Sequence, residues 1–258
     1  MRGRRLTAPA GAASRRLLAD VAGLVSVSAF YVVVSVVLAG LWRAATAHGP
    51  VAGYTGRELT WYIVTAEAAT CAINPRLIEE IGDDVVSGAV TVEMLRPAAV
   101  GGVRLAVETG RALTRLAVLL PVGAVIGWTA VGPPPDATGA LLAVPALALA
   151  VAVNVAMQHA VAGISFWLRD TRAAWFLYQK LVFILGGMLL PLEVLPDVLR
   201  HVASALPFAA MAYVPARTAA GHVAPGLLLV QAGWLVVFVV AALAVFGAGE
   251  RRLQEVGT

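Results

Sequence analysis

Few side chains in this sequence could do acid–base, nucleophilic or metal chemistry, and those that could lie in apolar company. Glu67 interrupts an otherwise uncharged run from about 59 to 75. Asn154, Gln158 and His159 sit inside a stretch without formal charge from Ala137 to Leu168. The first two, at i and i+4, share one helical face. His159 precedes Ser165 by six residues, with Gly163 two before the serine. Six residues of helix turn the chain by roughly 240°, so that imidazole does not aim at that hydroxyl and the two do not form a nucleophile and its base. Four scattered histidines and one cysteine, Cys71, give no ligand spacing for a metal and no disulfide within the chain.

The elements that must carry these residues are of membrane length. The chain is 60% hydrophobic and 13% charged, with a mean hydropathy of +0.83, where soluble domains run nearer to about 25% charged. Between Asp20 and Arg43 lie 22 uncharged residues, a helix of roughly 33 Å against a hydrocarbon core of about 30 Å. That run is too long for a signal-peptide core, so it reads as an uncleaved first span. Five more candidates follow, at about 59–77, 112–131, 140–168, 173–192 and 226–248. The expected fold is therefore an all-α integral membrane protein with six transmembrane helices.

Arginine placement sets the expected orientation. With the N-terminus inside, Arg2, Arg4, Arg5, Arg15, Arg16, Arg76, Arg96, Arg104, Arg111, Arg169, Arg172, Arg251 and Arg252 fall on inner segments. Arg43, Arg57, Arg200 and Arg217 fall outside, while Arg115 and Lys180 lie within spans. Both termini are expected in the cytoplasm. This divides the chain into an interfacial segment 1–20, a permease-like membrane domain 21–250 and a tail 251–258. The basic residues follow the inner membrane face, so topology explains them without nucleic acid.

Two connections are unusual. The inner one, 78–111, contains "SGAVTVEMLRP", where Ile81, Val85, Ala89 and Val92 recur at three- or four-residue steps and Pro97 marks an end. It reads either as a surface helix or connector, or as a helix that seats its apolar face in a groove on a partner. Its mixed charge speaks against a pure lipid-surface role, which favours Lys and Arg. The outer one, 191–225, is too apolar for a free loop and too rich in proline for one span. Short helices that partly re-enter the membrane are expected there, because irregular backbone at that depth must be satisfied by protein or water.

Three patches carry a family resemblance: "GDDVVSGAVTVEMLRP" at 82–97, "FWLRDTRA" at 166–173, and the run from "GGMLLPLEVLP" to "LPFAAMAYVPARTAAG" at 186–221. Together with the six-span layout, they resemble the type-2 ABC exporter permeases, in particular the bacterial multidrug or viologen exporter subgroup. The resemblance implies a membrane subunit in the bacterial cell membrane. It would pair with a second permease, identical or homologous, and with two copies of a separate ABC ATPase. The loop after span two would be the coupling helix, with Gly88, Leu95, Arg96 and Pro97 on the matching patch; Glu93 is added for its polarity. The first stretch, 1–20, would be an interfacial connecting helix. The exported substrate would be drug-like, antibiotic or lipid-like.

The sequence has no G-x-x-x-x-G-K-[ST] phosphate loop, and its single lysine lies inside span five. No cofactor is expected on this chain; ATP and Mg would belong to the partner. An ion-coupled secondary transporter using Glu67 and His159 is the rival reading. A lipid-facing, ionised Glu67 would cost about 3 kcal/mol, so it should face protein or water, or be protonated. It could recognise a cationic substrate, carry protons with His159, or pair with Arg115 or Lys180 between helices. Glu67, Asn154 and His159 are thus the candidates for a translocation path.

Overall fold

The computed structural model describes residues 21–94, 99–168 and 170–256, apart from the side chains of Gln254 and Val256. The interfacial segment 1–20 and the motif residues Leu95, Arg96 and Pro97 lie outside the described residues. Ten α-helices account for nearly all of what is described: α1 (Val21–Ala45), α2 (Gly56–Cys71), α3 (Leu77–Val86), α4 (Ala89–Glu93), α5 (Val100–Val131), α6 (Ala137–Ala162), α7 (Arg172–Leu185), α8 (Asp197–Ala205), α9 (Tyr213–Ala219) and α10 (Gly226–Val256).

Four of these are long and apolar enough to cross a membrane: α1, α5, α6 with its 3-10 extension to Phe166, and α10. The expected second and fifth spans form shorter helices. α2 has 16 residues and α7 has 14, roughly 24 and 21 Å at 1.5 Å per residue. Local chemistry sets their ends. At the start of α2, Thr55 and Glu58 form a reciprocal capping box. Beyond its end, Asn74 turns the chain by accepting from the Arg76 amide at 3.1 Å, and Pro75 cannot continue a helix. α7 stops at Gly186, and Gly187 adopts φ +68°. A side chain there would press on Tyr213 Cβ at 2.9 Å and Tyr62 Oη at 3.0 Å, so only glycine suits this turn.

α5 departs from expectation in the other direction. It begins at Val100, well ahead of the apolar stretch at about 112, so much of the expected 78–111 loop is helix. The tail likewise continues α10 to Val256. α6 is the central helix, packed against α5, α9 and α10. It buries Ala146, Leu147, Ala150, Val151 and Val155. α1 and α10 instead present large apolar side chains outward, among them Phe30, Val37, Leu229 and Val240. Outward apolar surface on this scale suits hydrocarbon rather than water.

The 191–225 connection folds into 3-10 turns at Leu192–Val194 and Pro207–Ala210 with α8 and α9 between and after them. α9 packs against α2 and α6, with Val214, Pro215, Ala216, Thr218 and Ala219 buried. At the same end, Arg57 grips the turn after α5, donating to Pro133 O at 2.6 and 2.8 Å and to Pro134 O at 3.0 Å.

Close approach between α1, α2 and α5 depends on Gly123. Tyr31 Oη, which donates to Val64 O at 2.8 Å, occupies the space that a Cβ at 123 would need, and Val64 Cγ1 would lie 2.9 Å away. Gly123→Ala should therefore destabilise the fold by about 1–3 kcal/mol, seen as a lower apparent melting temperature in detergent. Gly40→Ala, where nothing lies within 4 Å, should leave it unchanged.

Candidate coupling and translocation sites

The segment singled out by its sequence is two short helices meeting at Gly88. α3 buries Leu77, Ile78 and Ile81 against α6 and the 163–166 turn. Gly88 then takes a left-handed φ of +78°, which glycine adopts without strain. This break resets the apolar rhythm. After it Val90 is fully buried, and Val92, which the continuous rhythm would turn inward, is 68% exposed.

Glu93 faces back into the chain. Its carboxylate takes a bidentate fork from Arg104 on α5, Nε and Nη2 each at 2.9 Å. Arg104 Nη2 also reaches Asp84 Oδ2 of α3 at 2.8 Å. In the sequence Arg104 was only one more inner-face arginine. No periodic signal links residues 84, 93 and 104 across the glycine break at 88.

Beside this fork lies a polar cavity of about 410 Å3, lined by Glu80, Asp84, Glu93, Arg104, Glu108, Arg111 and His159, among others. His159 is fully buried, with Nδ1 3.1 Å from Val155 O and Nε2 without a hydrogen-bond partner among the described residues. Ser165, in the 3-10 turn Gly163–Phe166, is buried with its hydroxyl likewise unpartnered among them.

Asn154 serves a different groove, of about 220 Å3, with Thr70, Gln158, Tyr178, Gln179 and Met188. Its Oδ1 accepts from Gln158 Nε2 and from Tyr178 Oη, both at 2.8 Å. The i, i+4 pairing seen in the sequence is thus real, and α7 supplies the third member. Asn154 and His159 open onto separate cavities, and Glu67 lines neither.

Glu67 is 3% exposed and its Oε1 has no hydrogen-bond partner among the described residues. No ion pair joins it to Arg115 or Lys180 among the described residues. Lys180 instead lies on the exposed face of α7, with Nζ 5.1 Å from the Phe176 ring centroid.

A further polar group, unforeseen in the sequence, sits at the end opposite α3 and α4. Tyr213 Oη donates to Glu193 Oε1 at 2.6 Å, and Arg217 Nε approaches the same oxygen at 3.4 Å. Tyr54 packs on His222 at 4.3 Å between centroids, and His222 Nε2 lies 3.8 Å from Glu58 Oε1. Burial, and then the nearby negative charge of Glu193, hold the Tyr54 phenol well above its usual range. It stays neutral and able to donate at physiological pH. These residues are scattered from 54 to 222, and only the fold brings them together.

Removing the shared acceptor should expose the energetics of the Asn154 group. Asn154→Leu leaves Gln158 Nε2 without this acceptor and Tyr178 Oη with only the weak Met211 Sδ at 3.8 Å, an expected loss of about 1–3 kcal/mol in thermal stability. Adding Tyr178→Phe should cost little more, so that the double variant is less than additive.

These features lie within the region that matches known proteins. Residues 32–257 match the family described as ABC-2 family transporter protein. Comparison with curated proteins and with solved structures finds no match. The match covers most of the chain and agrees with its membrane-length helices and with the patches that resemble type-2 permeases. The family is a membrane transport subunit that works with an ABC ATPase, and this multi-pass chain belongs to it.

Proposed function

We propose that this chain is the membrane half of a bacterial exporter in the multidrug or viologen subgroup, driven by two copies of a separate ABC ATPase. The observation that carries the reading is the α3–Gly88–α4 segment. It joins α2 to α5 at one end of the helices, inside the family match, and presents Val92 outward. A helix-in-groove contact would use that apolar face, with Gly88, Glu93, Leu95, Arg96 and Pro97 at or beside the seam. ATP and Mg are held by the partner, in keeping with a sequence that has no phosphate loop.

In this reading α2 and α7 complete six spans, with both termini cytoplasmic in the cell membrane. α8 and α9 re-enter from the outer face. A second permease, identical or homologous, covers α7. Lys180 supports that placement, since an exposed cation on a lipid-facing helix would cost about 3 kcal/mol. Phe176, Leu177, Phe183 and Ile184 are outward on the same helix. The adjoining groove with Asn154, Tyr178 and Gln179 would then line the path for a drug-like, antibiotic or lipid-like substrate. The ion-coupled alternative through Glu67 and His159 is weaker, because Glu67 does not line the polar cavity that His159 opens onto.

Leu95→Asp or Arg96→Glu should abolish co-purification of the partner ATPase while the permease still inserts; an intact complex in both variants overturns the docking assignment. Separately, Glu67→Gln should reduce export of cationic compounds. Unchanged export of every cation tested would leave Glu67 as a helix-packing residue.

A further inference from the structure

We infer that Arg104 is the joint that passes movement of the docking segment to α5. This rests on the reading that the segment around α3 and α4 seats the ATPase. Gly88 separates α3 from α4 and would allow them to swing independently. Arg104 bonds to Asp84 on one side of that break and to Glu93 on the other, at 2.8 to 2.9 Å. Both halves are thereby fastened to a single residue of a third helix.

The arginine side chain is only 15% exposed, and its carboxylate partners are 43% and 40% exposed. Water and salt therefore loosen the fork less than they loosen a surface pair. A bidentate guanidinium also fixes angle as well as distance, which a point charge does not. From Arg104 the helix continues through Pro121 to Val131, about 40 Å at 1.5 Å per residue. Just beyond, at Gly132–Pro134, Arg57 and Trp61 of α2 hold the chain by its carbonyls. A displacement entering at Arg104 therefore emerges at the far end of both α5 and α2. The covalent path through 72–76 reaches α2 from its near end only.

The test is hydrogen–deuterium exchange on the permease–ATPase complex in nanodiscs, comparing nucleotide-free and vanadate-trapped states. In the wild type, peptides covering 77–94 and 125–134 should both change exchange between the two states. Arg104→Gln should keep the difference at 77–94 and cut that at 125–134 by more than half, while Arg104→Lys should retain an intermediate difference. A residue that only stabilises the fold would raise exchange equally in both states and leave the differences intact. A full-sized difference at 125–134 in Arg104→Gln overturns the proposal. If that variant does not assemble, Asp84→Asn and Glu93→Gln each remove one arm, and each should give a partial reduction; full-sized differences in both overturn it. Failure of the wild-type ATPase to protect 77–94 would instead remove the docking reading beneath it.

Discussion

Every break in a helix within this protein frees carbonyl groups that an apolar medium cannot satisfy, and the rest of the architecture is organised around capturing them. The captures come from side chains on other helices. Tyr62 Oη donates to Gly187 O, and Trp42 Nε1 to Leu189 O at 3.1 Å. Trp175 Nε1 and Gln179 Nε2 both reach Pro75 O, at 2.7 and 3.2 Å. Gln231 on α10 bridges Ala146 O and Ala210 O. All but the Gln231–Ala146 bond meet a carbonyl outside a regular α-helix, and each fixes how two or three helices sit relative to one another. Aromatic and amide donors inside the membrane are thus explained before any ligand is invoked.

This constraint separates polar residues into two kinds. Asn154, Gln158, Tyr178 and Gln231 have partners within the chain and so specify packing, and the first three also line a groove. Glu67 Oε1 and His159 Nε2 are buried without such partners among the described residues. A buried polar atom left unmatched is costly, and a family that moves substrates through its membrane domain has reason to keep some. The charged fork at Arg104 belongs to neither kind. It lies at one end of the helices, where strong ionic bonds can order a surface without burying bare charge.

The amino-acid sequence made the membrane character and the longest helices legible, because each depends on local composition. The 22-residue uncharged run became α1. The shortness of α2 and α7 was hidden, since apolar residues continue past the point where Asn74–Pro75 or Gly186–Gly187 bends the chain. The early start of α5 was hidden for the opposite reason: Arg104, Glu108 and Arg111 look like loop residues, yet they lie on helix. Among the site residues, the Asn154–Gln158 pairing followed from helical spacing. The convergence of Asp84, Glu93 and Arg104, and of Tyr54, Glu193, Arg217 and His222, depends on contacts between distant segments that no local pattern encodes.

The tight glycine turn at 187 also bears on how the chain is assembled. The groups that receive it, Tyr62 on α2 and the flank of α6 against which α9 rests, are made earlier in synthesis than the 186–221 segment itself. That segment emerges when Tyr62 and Trp42, the donors to Gly187 O and Leu189 O, are already in place to protect those carbonyls, while Ala210 O is met later by Gln231 of α10. The order of elements along the gene thereby doubles as an order of insertion, and a circular permutant that presented 186–221 first would lose that protection.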